Sequence, residues 1–504
     1  MNPSFARKSY SFVQNSDIKD ELWQVVAFYR SLQGSNLHFI GVWNTKNCIL
    51  SEFTRLKFAF YRSLRYLCIK NKQLMDSNEI YKVILDQREE LPFLVEDNFV
   101  SRPEANLISL DNKQAQVVIG VRRSGKSTLC HMALIKAGVT YGYVNFDDDR
   151  LANIRVEDLN SVLEGIYRVY GNDVKHIFFD EIQNVEGWHL FVNRLLRQGL
   201  RIIITGSNAK LLSSELATHL TGRYNEIKLY PFSFRDYCAY KNVVTDTPTT
   251  KNIATLKNTL DDYLIEGGFP ELSSIKDKHG YVGSLIDAII TKDIMKRFRI
   301  RNGNGLKTLA NHLINNAGQL VNMTELVETF KIGSDKTVRN YLDFLTQAFL
   351  MVPLTKFSYK SSERLRNDKA YVVDTGMLTF RSDNLSPENL GWRLENVVLL
   401  ELLRRNAPTR KDVFYYRPTS RSREVDFVVS ERGKVLELIQ VAYDISSPKT
   451  LSRELSSLVE ASKKTGCRKL TLIACTDTRV ENADGVEINL ISAIEWLLDN
   501  TKAR

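Results

Sequence analysis

Eight consecutive residues, Gly120-Val121-Arg122-Arg123-Ser124-Gly125-Lys126-Ser127, have the types and spacing of a loop that wraps a polyphosphate. They fit G-x-x-x-x-G-K-[ST]. Glycines let backbone N–H groups converge on an anion, the lysine reaches the β- and γ-phosphates, and the serine hydroxyl serves Mg²⁺. Gly120, Arg122, Arg123, Ser124, Gly125, Lys126, Ser127 and Thr128 are thus the expected phosphate-contacting residues, with Ser127 a metal ligand. A second set follows in His176-Ile177-Phe178-Phe179-Asp180-Glu181, an apolar run ending in two adjacent carboxylates. Asp180 is expected to hold Mg²⁺, and Glu181 to orient and deprotonate an attacking water. With Lys126 on the phosphates, the implied chemistry is hydrolysis of a nucleoside triphosphate.

A third run, Arg201-Ile202-Ile203-Ile204-Thr205-Gly206-Ser207-Asn208, ends in small polar residues. It is expected to lie between the strand of the loop and the strand of the acids, where Ser207 and Asn208 would sense a γ-phosphate. Arg223, in Thr221-Gly222-Arg223-Tyr224, is a candidate for a phosphate or for the nucleotide of a neighbouring subunit, so a homo-oligomer is possible. A surface arginine in a turn is an equal reading.

These residues need strands to carry them. Apolar runs at 117–119, 141–145, 176–180, 201–205 and 224–229 alternate with helical stretches. That alternation predicts an α/β fold, a parallel sheet with helices on both faces. Right-handed crossovers bring the loops at the strand C-terminal ends to one edge, where ligands bind in open sheets. All three motifs fall at such ends.

Composition bounds the rest. A chain of 504 residues has room for two to four domains. No apolar run approaches the length of about 18 residues that a bilayer requires, nor is there a secretory leader core in the first thirty residues. A cytoplasmic location with no membrane partner is expected. The six cysteines form no C-x-x-C pair, and the seven histidines show no H-E-x-x-H spacing, so neither disulfides nor a transition metal is indicated. Of the net charge of +10, residues 1–74 hold +7, from 11 Lys/Arg against 4 Asp/Glu. That stretch is aromatic and basic, as in a nucleic-acid or membrane-surface arm. The alternative, taken here, starts the folded chain at Met75, because Met75-Asp76-Ser77-Asn78-Glu79 reads as a capped helix start.

Beyond the first α/β region, helices run through 256–266 and 286–298, separated by the stop Gly267-Gly268-Phe269-Pro270. Residues 323–345 suggest a helix-turn-helix. Its second helix has an apolar stripe of Val338, Tyr341, Leu342 and Leu345, and Lys336, Arg339 and Asn340 opposite. DNA is the partner this segment admits; a helical lid is the plainer reading. The last 150 residues return to mixed α/β structure. Glu395, Asp426 and the Gln440/Ala442 strand have the layout of restriction-type nucleases, but Gln440 and Ala442 replace an acid and a lysine. An inactive nuclease-like domain is the reading drawn. Glu437 would fall at a different strand position.

In its P-loop, Phe178–Gln183, 202–208, 220–224, 231–237, 267–271, 371–378, 394–396, 424–427 and 439–443, the chain resembles a prokaryotic family. That family joins an AAA-superfamily ATPase to a C-terminal domain of unknown function with a restriction-nuclease-like fold. The resemblance spans roughly residues 75–500 and leaves out 1–74. It implies ATP as nucleotide, Mg²⁺ as cofactor and a winged-helix segment near 305–355. The expected organisation is an extension (1–74), a P-loop ATPase domain (75–240), a helical lid and winged-helix-like domain (241–360) and the nuclease-like α/β domain (361–504). The leading expectation is an ATPase whose nucleotide state rearranges the later domains. Two others stand beside it: a DNA-binding regulatory or defence switch with very slow hydrolysis, and an ATP-dependent nuclease.

Overall fold

In the computed structural model, the residues described are 75–95, 99–207, 222–247, 249–300, 303–360, 368–381, 389–409, 411–419 and 422–498. Asn208 and the N-terminal stretch 1–74 lie outside them.

Aliphatic strands with few polar side chains have to be covered on both faces, and the first sheet meets that need. Its strands are β1 (Ala115–Ile119), β2 (Tyr141–Asn145), β3 (His176–Asp180), β4 (Arg201–Gly206) and β5 (Tyr224–Lys228). All neighbours are parallel, in the order β2-β3-β4-β1-β5. The strand of Ser207 thus lies between the strand of the loop and the strand of the acids, as the sequence implied. β1 is buried at all five positions. The chain enters through α1 (Ser77–Val95), which packs on α3 (Leu159–Tyr170); α2 (Lys126–Lys136) and α4 (Trp188–Arg197) complete the cover.

Helices follow: α5 (Phe234–Tyr240), α6 (Thr250–Glu266) and α7 (Lys278–Ala288). α7 continues without a break into a π-helical segment, Ile289–Met295. Then come α8 (Asn304–Asn315), α9 (Met323–Phe330), α10 (Asp335–Gln347) and an antiparallel pair, β6 (Met351–Thr355) with β7 (Asp368–Val372). A bridge from Leu320 to Lys369 adds a third short strand position to that pair. Ser334 caps α10 through its side chain.

The last region has α11 (Leu390–Asn406) and a six-stranded mixed sheet. Its strands are β8 (Asp412–Tyr416), β9 (Val425–Glu431), β10 (Lys434–Ala442), β11 (Leu470–Ala474), β12 (Arg479–Ala483) and β13 (Val486–Ser492). The order is β12-β13-β11-β10-β9-β8, with α12 (Pro448–Thr465) between β10 and β11 and α13 (Ala493–Leu498) at the end. α11 is buried along most of its length and ties the regions together. Arg404 donates to the Pro231 carbonyl at 2.8 Å, and Arg393 to the Leu264 carbonyl at 3.3 Å. Asn396 exchanges two hydrogen bonds with the Val372 backbone, at 3.0 and 2.9 Å, and Arg405 reaches the Trp496 carbonyl at 2.6 Å. One apolar core accordingly runs from Ile80 to Leu497.

His131, on α2, is wedged under the first sheet. It meets the Tyr141 hydroxyl at 3.0 Å and packs edge-on against Tyr143 and Phe178. Burial lowers its pKa to about 4, and its Nε2 has no partner. The folded state therefore binds this proton less well than the unfolded chain does. Stability should be complete above pH 6.5 and fall by roughly 3 kcal/mol as pH drops toward 4. Melting curves across that range should show a shallower fall in His131→Gln than in the parent.

Candidate functional site

The C-terminal ends of the five strands gather the motifs at one edge. β1 runs into the loop at Gly120, whose hydrogen faces the Leu229 backbone. A Cβ there would lie 2.1 Å from the Leu229 carbonyl oxygen, so the loop can leave the sheet here only with glycine. Gly125 (φ 87°, ψ 25°) starts α2 in left-handed geometry, which a side chain would strain. Arg123 bears that strain at φ 67°. Lys126 is buried, and its Nζ donates to the Val121 carbonyl at 3.1 Å. Ser124 Oγ is buried without a partner, a spare hydroxyl inside the loop.

Facing it, Asp180 and Glu181 close β3. Asp180 is buried; it accepts hydroxyls from Thr205 and Ser127, and the Tyr143 hydroxyl at 3.4 Å. Burial raises its pKa against those hydrogen bonds. Glu181 takes a left-handed backbone (φ 53°, ψ 36°), and its N–H donates to Thr205 Oγ1 at 3.2 Å. Its carboxylate lies 3.9 Å from Lys126 Nζ, where the Gln183 amide also bonds it. Its pKa is raised by burial first, with Lys126 pulling the other way and Asp180 adding to the rise. A hydroxyl and a carboxylate side by side are hard oxygen donors of the kind magnesium takes. The ammonium, the spare hydroxyl and the N-terminus of α2 suit a phosphate chain.

Ser207 extends β4 into this edge and is buried, but its hydroxyl is engaged by Asp293 at 3.3 Å. Arg122 turns from the loop to the same carboxylate. Arg123 pairs with Glu271 at 3.0 Å, placing the Gly267–Glu271 turn over the loop. Arg223 is a correction. It is exposed and precedes β5 where Tyr224 pairs with Ala115, at the N-terminal ends of the strands. Five residues of strand, about 16 Å, separate that edge from Gly120, so Arg223 cannot reach a phosphate held by its own loop.

Sequence reasoning passed over Thr205, Tyr143 and Asp293. Thr205 was legible as the last polar residue of its strand. Asp293 lies far down the chain in a helix with no motif, and only the fold brings it here.

The acids of the C-terminal sheet meet a different neighbour. Glu395 on α11 and Asp426 on β9 do converge, but around Lys369 of β7. That ammonium is 2.5 Å from Glu424 and 3.5 Å from Glu395, and the Tyr371 hydroxyl donates to Glu395 at 2.6 Å. Burial works against the charge of Lys369, and Glu395 and Glu424 more than offset it. Asp426 accepts the Val441 N–H at 2.9 Å and is pushed well up by burial and by Glu395. Gln440 does not join them. It donates to Glu454 of α12 at 2.8 Å. Glu437 pairs with Lys469 at 2.6 Å. Among the described residues, no three His, Cys, Asp or Glu side chains form a metal-holding group, and no helix is long and apolar enough to cross a membrane.

A parallel sheet in this order, with a glycine-lysine loop after one strand and paired acids after the next but one, defines a P-loop nucleotide-binding fold. The family model described as an AAA domain matches residues 112–238, and two domains of unknown function match 257–388 (DUF8612) and 390–494 (DUF4143). An uncharacterized protein of Methanocaldococcus jannaschii is 36% identical over 366 residues, 71% of this chain and 80% of its own. One of Haemophilus influenzae is 32% identical over 404 residues, 77% of this chain and 95% of its own. The chain belongs to this family of AAA-domain proteins, and its nucleotide-binding domain is of the ATPase type. A solved Thermotoga maritima RuvB Holliday junction branch migration motor aligns over 55% of this chain and 88% of its own, at 13% identity and a TM-score of 0.24. So low a score adds nothing to the argument.

Replacing Lys369 by methionine leaves the buried Asp426 and the half-buried Glu395 and Glu424 around no cation. Chemical denaturation of Lys369→Met should show a loss of about 3–5 kcal/mol.

Proposed function

We propose that the chain is a magnesium-dependent ATPase whose nucleotide state rearranges its helical and C-terminal regions. The observation that carries this reading is the approach of Lys126 to Glu181 at 3.9 Å, beside an Asp180 carboxylate that holds the Ser127 hydroxyl. In this reading Gly120, Ser124, Gly125 and Thr128 line the phosphate chain and Lys126 bridges its β- and γ-phosphates. Ser127 and Asp180 would hold Mg²⁺, which when bound would offset phosphate charge. Glu181, its proton affinity raised by burial, takes a proton from water as the water oxygen bonds to the γ-phosphorus. The bond from that phosphorus to the β–γ bridging oxygen breaks, and ADP and phosphate leave. Ser207 marks the position of the γ-phosphate.

Supporting the rearrangement, α8, α9 and α10 with the β6–β7 pair and the Leu320–Lys369 bridge have the order of a winged-helix unit. Lys336, Arg339 and Asn340 are exposed on α10. They share the helix with Asp335 and Asp343, so α10 carries no net charge, and duplex DNA, which is held largely through net positive charge, is the weaker reading. The Lys369 cluster and the diversion of Gln440 likewise favour a structural role for the C-terminal sheet over phosphodiester cleavage.

Lys126→Ala should abolish binding of a fluorescent ATP analogue. Glu181→Gln should keep that binding and lose turnover by about 10²-fold or more, measured as phosphate release. Native turnover in Glu181→Gln would overturn the role given to this residue. Arg223 can act only on the site of a second copy. Under that arrangement Arg223→Ala lowers turnover without weakening nucleotide binding, and turnover per chain in the parent rises with protein concentration.

A further inference from the structure

Asp293 has no part in the chemistry above, yet it faces the site. It sits in the π-helical segment Ile289–Met295, 171 residues beyond Arg122, and is 5% exposed. Arg122 grips it with two hydrogen bonds, Nε to Oδ2 at 3.2 Å and Nη2 to Oδ1 at 2.9 Å, and Ser207 donates to Oδ1 at 3.3 Å. The second carboxylate near Arg122, Asp147, lies further off at 3.8 Å and is half exposed. One anion from the helical region thus occupies a cationic group of the phosphate loop and the polar tip of β4 together. These are the groups that a terminal phosphate, entering beside Lys126, would recruit. The holder of the carboxylate is itself poised to change. A π turn is rare and frequently sits at functional sites, and Ile289, Ile290 and Ile294 anchor this one in the core.

We infer that the Asp293 carboxylate is a built-in stand-in for the γ-phosphate, which competes with it for Arg122 and Ser207. This rests on the reading of the loop as an ATP site and adds the route by which that site reports its state. With ADP, no third phosphate arrives and Arg122 keeps Asp293. With ATP, the γ-phosphate takes Arg122 and Ser207, and the displaced carboxylate faces like charge on the phosphate and on Glu181. The π segment is then released from the loop, and α7 and α8, which flank it, move with it. Asp293 is a positioning residue in this scheme; it handles no reacting atom.

The test combines affinity with backbone exchange on the full chain. For the parent, hydrogen–deuterium exchange over residues 286–298 should quicken with a non-hydrolysable ATP analogue and stay unchanged with ADP. Asp293→Asn removes the competing charge. It should bind the ATP analogue about tenfold more tightly, bind ADP with unchanged affinity, and show no nucleotide-dependent exchange in that segment. Arg122→Met breaks the same contact from the loop side. It should also lose the nucleotide-dependent exchange, while its affinity for the ATP analogue falls, and so it serves if Asp293→Asn does not fold. A parent that binds both nucleotides but exchanges alike with each, or an Asp293→Asn with the parent's preference, overturns the inference alone. A parent that binds neither nucleotide overturns the site and the inference together.

Discussion

Lys126 and Glu181 face each other across 3.9 Å at the end of strands whose other side chains are mostly apolar. Charges in such a place are tolerated only when each has partners, because water is not there to solvate them. The surroundings answer that demand piece by piece. The Val121 carbonyl takes the lysine, the Gln183 amide takes the glutamate, and Thr205 and Ser127 take Asp180. The strained backbone at Glu181 follows from the same constraint. Successive side chains of an extended strand face opposite ways, and the left-handed turn at Glu181 brings the second carboxylate round to Lys126. The helical region then adds Asp293 to balance Arg122, so the charge balance of the loop is completed by a residue outside the sheet.

Much of this edge is legible in the amino-acid sequence. The glycines, lysine, serine and acids declare themselves because local geometry demands those residue types: Gly120 by its contact with the Leu229 carbonyl, Gly125 by its positive φ. The sheet is legible because its central strands, buried on both faces, carry apolar runs that alternate with helical stretches. Other parts are not. Arg223 reads equally as a phosphate ligand or as a surface arginine in a turn, and only strand register puts it at the far edge. Asp293 gives no sign, since one aspartate in an amphipathic helix has no pattern around it.

The C-terminal sheet shows the same limit in another form. Glu395 and Asp426 come together as their spacing suggests, whereas the lysine that should accompany them would belong on β10, at Ala442. The cation that meets them comes instead from Lys369 of β7, before α11. Spacing along a chain reports chemistry well when the partners share a strand or a turn. It fails when a fold collects them from separate elements.

α11 has a consequence for any attempt to divide the chain. Its arginines and Asn396 satisfy main-chain groups contributed by stretches more than a hundred residues apart, from Pro231 to Trp496. Cutting the chain between the AAA domain and the regions after it would put the Arg404 guanidinium and the Pro231 carbonyl on opposite sides of the break. Each piece would then keep one half of a partly buried hydrogen bond, so excision at that point costs both.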